Sequence, residues 1–278
     1  MPILGLRCRR GYIGLEDCLV CPNRCIIPQP VLECLDKQAA GYYKHRSKEY
    51  HVTSLIGCPR LNILKYLLGD YPPPLNLWKM ATGTLGHEFM EKYPTGDGVA
   101  EQQVEGEFLM MPDDPSSRCT VVGRFDWYDN GTKYINDWKF IWNTNYMPSE
   151  NHFRQVATYA VLGRQMFGDK WGLGGQINYI DITCGRRHRF ILDGSKYETL
   201  IEEMKEIIPV RVREFYEAEE QGLVPAGEPK YKQCNYCPPE FKQSCRTNCE
   251  PQDIRTIAIF VNEYRENNTP KEDGGLYD

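Results

Sequence analysis

Gly123-Arg124-Phe125-Asp126-Trp127-Tyr128-Asp129-Asn130-Gly131-Thr132-Lys133-Tyr134-Ile135-Asn136-Asp137-Trp138-Lys139 is the stretch that decides the fold. Asn130-Gly131 lies between two strand-like runs, and this pair is the strongest short-range hairpin signal because a type I′ turn needs positive φ at both central positions. A two-residue turn sets Asp129 opposite Thr132 and Asp137 opposite Arg124, with Asp126 as the diagonal neighbour of Asp137. Strand alternation then puts Asp126, Asp137 and Lys139 on one face, and Phe125, Trp127, Tyr134, Trp138 and Phe140 on the other. The aromatic face is expected to be core and the charged face a site. Two carboxylates at diagonal spacing, about 7 Å between backbones, repel each other unless they share a cation. Hard oxygen donors suit Mg²⁺ or Mn²⁺. Lys139 could orient or activate a water at that ion, although a solvated antiparallel face is the plainer reading of the same three residues.

Working outward, a helix is expected over 61–68, ended by Tyr71-Pro72-Pro73-Pro74. A second, over about 77–93, carries Leu85, Phe89 and Tyr93 as one apolar stripe. Strands are expected near 103–110, 118–128 and 133–140. Ser149 then N-caps a helix that buries Phe153, Val156, Ala157, Ala160 and Val161 and stops at Gly168. Two strands, 175–183 and 187–192, join around Gly185, and a long amphipathic helix over 195–221 ends at Gly222. Antiparallel strands flanked by helices predict a mixed α/β core sheet rather than a doubly wound one.

The chain has 278 residues, 41% hydrophobic and 26% charged, which excludes wholesale disorder, collagen-like repeats and a coiled-coil rod. No apolar run reaches the roughly 18 residues of a membrane span, and the start shows no secretory signal, so a cytoplasmic protein without membrane association is expected. Its net charge of −5 means that any nucleic-acid binding must come from a local basic surface. Arg7, Arg9 and Arg10, then Arg186, Arg187 and Arg189, then Lys230 and Lys232 are the available clusters, with Tyr42, Tyr43 and Trp142 for base stacking.

Twelve cysteines without an export signal point to metal ligation in a reducing compartment. Cys18-x2-Cys21-x3-Cys25, with Cys8 or Cys34 as fourth ligand, fits a tetrahedral Zn²⁺ site, with partly buried thiols as the bland alternative. Cys234, Cys237, Cys245 and Cys249 fit a second all-cysteine zinc site. Cys119 and Cys184 read as small core residues. Gln155 and Tyr159 share one helix face at i, i+4, and Gly86-His87-Glu88 puts an imidazole on the helix before the strands.

Taken in order, these features resemble the PD-(D/E)XK nuclease superfamily in its RecB-like branch: His87 on a helix, Gly123 to Asp126 for G-x-x-D, Asp137-Trp138-Lys139 for (D/E)-x-K, and Gln155 to Tyr159 for Q-x-x-x-Y. The resemblance implies a phosphodiesterase in which His87, Asp126, Asp137 and the Trp138 carbonyl hold Mg²⁺ or Mn²⁺, Lys139 positions the attacking water, and Gln155 and Tyr159 orient the lysine or touch a phosphate. Many relatives carry Glu where Asp137 stands. One early cysteine, Cys58, with a late group looks like the iron-sulfur members of that branch, the AddB nuclease domain and the CRISPR-associated single-strand exonucleases. By that resemblance Cys58, Cys234, Cys237 and Cys245, with Cys249 as alternate, bind a structural 4Fe-4S cluster. DNA with single-stranded ends or overhangs is the implied substrate, and a CRISPR integrase or recombination and replication proteins are the implied partners. The expected organisation is a Cys-rich module over 1–45, a nuclease domain over 46–250 and a polar tail over 251–278. A non-catalytic, metal-stabilised DNA-binding or assembly protein is the rival.

Overall fold

A computed structural model describes residues 5–8, 11–21, 48–92, 96–227, 237–247 and 250–269. In chain order its first elements are β1 (Gly5–Cys8), β2 (Gly11–Gly14), α1 (Leu15–Leu19), β3 (Glu49–His51), α2 (Val52–Leu55), α3 (Pro59–Leu68) and α4 (Pro74–Lys92). Next come β4 (Gly98–Ala100), β5 (Gln103–Leu109), β6 (Arg118–Arg124), β7 (Trp127–Asp129), β8 (Tyr134–Ile141), α5 (Glu150–Phe167), β9 (Gly174–Asp181), β10 (Arg186–Asp193) and α6 (Gly194–Glu220). The last are β11 (Leu223–Val224), α7 (Pro239–Thr247), β12 (Gln252–Asp253) and α8 (Ile254–Asn267). The fold is mixed α/β, and no described helix is long and apolar enough to cross a membrane.

Two compact units divide these elements. The first draws on residues up to 45, on 58–78 and on 217–278; the second takes 46–57 and 79–216. The second holds a five-stranded sheet ordered β10-β9-β8-β7-β4 and a three-stranded sheet ordered β3-β6-β5. Strands β8 and β9 run parallel while β7–β8 and β9–β10 are antiparallel, which is the mixed sheet that the strand pattern predicts. Helix α5 packs on strands of both sheets and buries Val156, Ala157, Ala160 and Val161 against a core that includes Ile135 and Ile177. Gly168 and Gly222 follow α5 and α6 with φ of 91° and 72°, the left-handed stop that glycine adopts without steric cost.

The hairpin differs from the two-residue turn. Residues 130–133 form a four-residue loop, and Lys133, at φ 63°, is its left-handed residue rather than Gly131. The Asp129 carboxylate accepts from the Thr132 amide at 2.7 Å and the Thr132 hydroxyl at 2.9 Å, and the Asp129 carbonyl accepts from the Lys133 amide at 2.8 Å. These local bonds outcompete the tight turn. Asp129 therefore faces Tyr134 instead of Thr132. That slip is two residues, an even number, so the alternation of faces survives.

The expected inside and outside are nevertheless exchanged. Asp137 and Lys139 lie on the α5-covered side with buried Ile135, whereas Trp127, Tyr134, Trp138 and Phe140 are only half-buried. Phe125 alone of the aromatic group is fully buried, against Tyr128, Tyr159 and Trp171. It escapes the alternation because the expected strand 118–128 breaks at Phe125-Asp126, where the chain leaves one sheet for the other. Two further positions differ from expectation: Leu85 and Phe89 of the apolar stripe on α4 are exposed, and Cys184 is exposed in the turn before β10.

The first unit gathers the N-terminal hairpin β1–β2 with α3, α7 and α8. Leu6, Cys18 and Leu77 form a buried cluster with Ile13 and Leu19 packed against it. Glu240 is fully buried, accepts from the Tyr12 hydroxyl at 2.9 Å, and faces Arg7 at 3.9 Å and Arg265 at 3.6 Å. Burial and the Glu240 charge push the Tyr12 phenol well above its ordinary range. The Arg265 guanidinium stacks 4.5 Å from the Tyr71 ring centroid and donates to the carbonyls of Leu68 and Gly69. Residues expected as a separate module and as a polar tail thus share one unit: α8 is a helix with Ile257 and Val261 buried, because its apolar positions recur on one face.

Candidate active site

Two neighbouring strand pairs break at the same level. Between β4 and β5 the chain bends at Glu101, whose φ is 50°, and between β6 and β7 it bends at Asp126. The Glu101 amide donates to the Asp126 carbonyl at 3.1 Å, and the Phe125 amide to the Gln102 carbonyl at 3.3 Å, so the two bends face each other. A bend that interrupts a ladder re-aims the side chains beside it. Here it turns Asp126 toward α4, where its Oδ1 lies 3.1 Å from His87 Nδ1, while Oδ2 accepts from the Trp138 amide at 2.5 Å.

His87, Glu101 and Asp126 each offer a ligand atom within 4.8 Å of the others. Burial pulls the His87 pKa down, but the hydrogen bond and charge of Asp126 outweigh it and the net shift is upward. Burial first, and then the nearby Asp126 charge, raise Glu101, against Arg124, whose Nε lies 2.5 Å from Glu101 Oε2.

Beside this group runs a chain of side chains from strand to helix. Lys139 Nζ lies 2.8 Å from Asp137 Oδ2 and donates to Asp137 Oδ1 and to Gln155 Oε1, both at 3.1 Å. Gln155 Nε2 donates to the Tyr159 hydroxyl at 2.6 Å. Burial raises Asp137, helped by the Asp126 charge and opposed by Lys139, to about 6. Burial disfavours the Lys139 ammonium, yet Asp137 and Asp126 more than compensate and raise its pKa, so the lysine stays protonated at neutral pH. Tyr159 is held neutral by burial and by the Asp137 charge.

Two motif glycines have a steric reason. A Cβ on Gly123 would lie 2.6 Å from Tyr159 Cε1 and 2.7 Å from Val52 Cγ2, and one on Gly86 would lie 2.4 Å from the Phe140 ring. Gly123→Ala is expected to displace Tyr159 and to destabilise the fold by about 1–3 kcal/mol. A thermal melt indistinguishable from wild type would contradict this.

His87, Asp126, Asp137, Trp138, Lys139, Gln155 and Tyr159, all expected from sequence, lie in the same unit, and the contacts above join all of them. Sequence reading missed Glu101, which sits in no motif; its only local mark is the left-handed backbone that sequence does not display. It also missed His152, which shares a stripe of α5 with Gln155 and Tyr159.

The cysteines are placed less completely. Cys58 caps α3 at its N-terminus, and Cys237 and Cys245 lie before and within α7, all three in the first unit. Arg60, two residues after Cys58, is fully buried and reaches Ser244, next to Cys245, at 3.4 Å. Cys8, Cys18 and Cys21 lie on or just after β1 and α1. Among the described residues the one group with three ligand atoms within 4.8 Å of one another is His87, Glu101 and Asp126. Cys25, Cys34, Cys234 and Cys249 lie outside the described residues, as do Arg9, Arg10, Tyr42, Tyr43, Lys230 and Lys232.

No protein-family model and no curated protein matches the chain. Among solved structures it is similar to one described as "Crystal structure of SSO0001", with 16% identity and a TM-score of 0.48, over 73% of this chain and 90% of that one.

Proposed function

We propose that the chain is a divalent-metal-dependent deoxyribonuclease acting at single-stranded DNA ends or overhangs. One observation carries the reading: the His87–Asp126 pair and the Asp137–Lys139–Gln155–Tyr159 chain are joined at the point where Asp126 accepts from the Trp138 amide. The donor set fits Mg²⁺ or Mn²⁺, since an imidazole and hard carboxylate oxygens of His87, Glu101 and Asp126 converge, and the buried Asp137 carboxylate, ion-paired with Lys139 at 2.8 Å, stands beside them. His87, Asp126 and Asp137 would hold the ion, with Glu101 as a further carboxylate once Arg124 swings away.

When bound, such an ion supplies Lewis-acid polarisation of a phosphate oxygen and screens its charge. The chain's own groups do the rest. Lys139, protonated and fixed by Asp137 and Gln155, donates from Nζ to a water or phosphate oxygen in the site. Gln155 is in turn fixed by Tyr159. The Asp126 carboxylate restrains His87 so that its other ring nitrogen keeps one direction.

The structural 4Fe-4S cluster on Cys58, Cys234, Cys237 and Cys245, and a Zn²⁺ on the N-terminal cysteines, belong to the same proposal. Roles beside a CRISPR integrase, or in viral or bacterial recombination and replication, follow the resemblance alone. The Arg60–Ser244 contact supports the cluster by bringing the segments that bear Cys58 and Cys245 together.

The test compares wild type and Asp126→Asn on end-labelled single-stranded DNA, double-stranded DNA and RNA with Mn²⁺. Wild type is expected to cut single-stranded DNA, and the variant to lose at least about 100-fold in rate. No cutting by wild type, or equal cutting by both, would favour the non-catalytic rival. Faster cutting of RNA would correct the substrate.

A further inference from the structure

Next to Lys139 lies a second polar group that the proposed reaction does not yet use. Tyr179 on β9 is the in-register partner of Lys139 on β8, so both side chains rise on the same face. The tyrosine is almost fully buried, its ring edge-on to Phe190 with centroids 5.7 Å apart. Its hydroxyl accepts from the Ser149 amide at 2.9 Å and lies 2.9 Å from His152 Nδ1. Ser149, expected as a side-chain cap of α5, makes no side-chain cap bond, and its amide serves the tyrosine instead.

One tautomer of His152 satisfies both partners of the phenol. The phenol has one proton to give, and among the described residues its one acceptor is His152 Nδ1. In the tautomer that lets the phenol donate, Nδ1 receives its hydrogen bond and the ring proton resides on Nε2. Burial first, and the Lys139 charge second, push the His152 pKa down to about 3, so the ring is neutral at neutral pH. His152 stands one helical turn before Gln155, the residue that holds Lys139, and its Nε2 has no hydrogen-bond partner among the described residues.

We propose that His152 is a substrate-contacting residue of the nuclease site, donating from Nε2–H to a non-bridging phosphodiester oxygen of the bound strand, and that Tyr179 is the positioning residue that holds this tautomer. The inference rests on the nuclease reading. A neutral donor suits the place, because a second cation beside the Lys139 ammonium would repel it, whereas a neutral N–H adds a directed contact without altering the charge of the lysine.

Two measurements on the full chain test it. Two-bond proton–nitrogen correlation spectra, with the His152 ring assigned by its disappearance in His152→Gln, are expected to show Nε2 protonated and Nδ1 bare in wild type, and a tautomer mixture in Tyr179→Phe. A protonated Nδ1 in wild type overturns the proposal. In steady-state cleavage of a single-stranded oligonucleotide with Mn²⁺, His152→Ala is expected to lose about ten- to a hundred-fold in kcat/KM, more through KM than kcat. His152→Gln, which keeps a neutral N–H donor, is expected to recover most of that loss. Wild-type cleavage with an unimpaired His152→Ala overturns this inference alone, and no cleavage by wild type overturns it together with the nuclease reading.

Discussion

Lys139→Ala is expected to slow DNA cleavage by about 10²- to 10⁴-fold at saturating Mn²⁺, the range for a positioned proton donor or acceptor. The lysine is half-buried, protonated and gripped from two sides, by Asp137 and by Gln155. The same variant has a second signature in its pH dependence. Asp137 is already raised to about 6 by burial, with Lys139 holding it down from a still higher value. Removing the lysine lifts it further, and a proton then competes with the divalent ion at higher pH.

In wild type, Mn²⁺ affinity is therefore expected to fall as pH drops through about 6, and His87, also raised, acts in the same direction. In Lys139→Ala that fall starts at higher pH. Free Mn²⁺ measured by electron paramagnetic resonance between pH 5 and 8 reads it directly. Superimposable binding curves, or a rate within threefold of wild type, would refute the role given to Lys139. The linkage sign for the metal-free fold follows from the same shift. Folding raises the Asp137 pKa above its unfolded value, so the folded state holds an extra proton between the ordinary carboxylate range and about 6. This group's contribution to stability declines as pH rises through that window.

Arg60→Met is expected to be the most destabilising single change in the first unit. The guanidinium is fully buried, and it donates through one nitrogen to the Pro225 and Glu250 carbonyls at 3.2 and 2.9 Å, and through the other to Ser244 and Gln252. Methionine fills much of the volume but leaves those acceptors without their donor, and each orphaned group costs about 1–3 kcal/mol. A total of about 4 kcal/mol would be a large share of ordinary domain stability. The melting temperature is expected to fall by roughly 10 °C. Lys139→Ala serves as the control, since it touches only the other unit. A drop below about 2 °C would mean that the four acceptors find water, and that Arg60 is not what joins α3 to the C-terminal segments.

Much of the architecture can be read in the sequence, for reasons visible in particular residues. Glycines at 168, 185 and 222 mark element ends because each takes positive φ there. The apolar spacing of Val156, Ala157, Ala160 and Val161 locates the buried side of α5. The shared face of Asp137 and Lys139 depends only on alternation, so it withstands a hairpin loop longer than Asn130-Gly131 suggests. Long-range information is what fails to show locally. Nothing in Phe125-Asp126 or Glu101 announces that two strands bend together, since each bend is stabilised by the backbone of the other. The aromatic face was expected to be core because hydrophobicity alone marks it. The structure instead lets α5 cover the charged face, and buries the ions by pairing them.

The division of the chain also bears on how the protein comes into being. Its course passes between the two units at 45/46, 57/58, 78/79 and 216/217. All residues of the candidate site have left the ribosome once Tyr216 emerges, whereas the companion unit waits for residues 217–278, about half of its length, including Cys237, Cys245 and Arg265. Vectorial synthesis therefore lets the carboxylate group assemble first and leaves the cysteine-bearing unit as the late step.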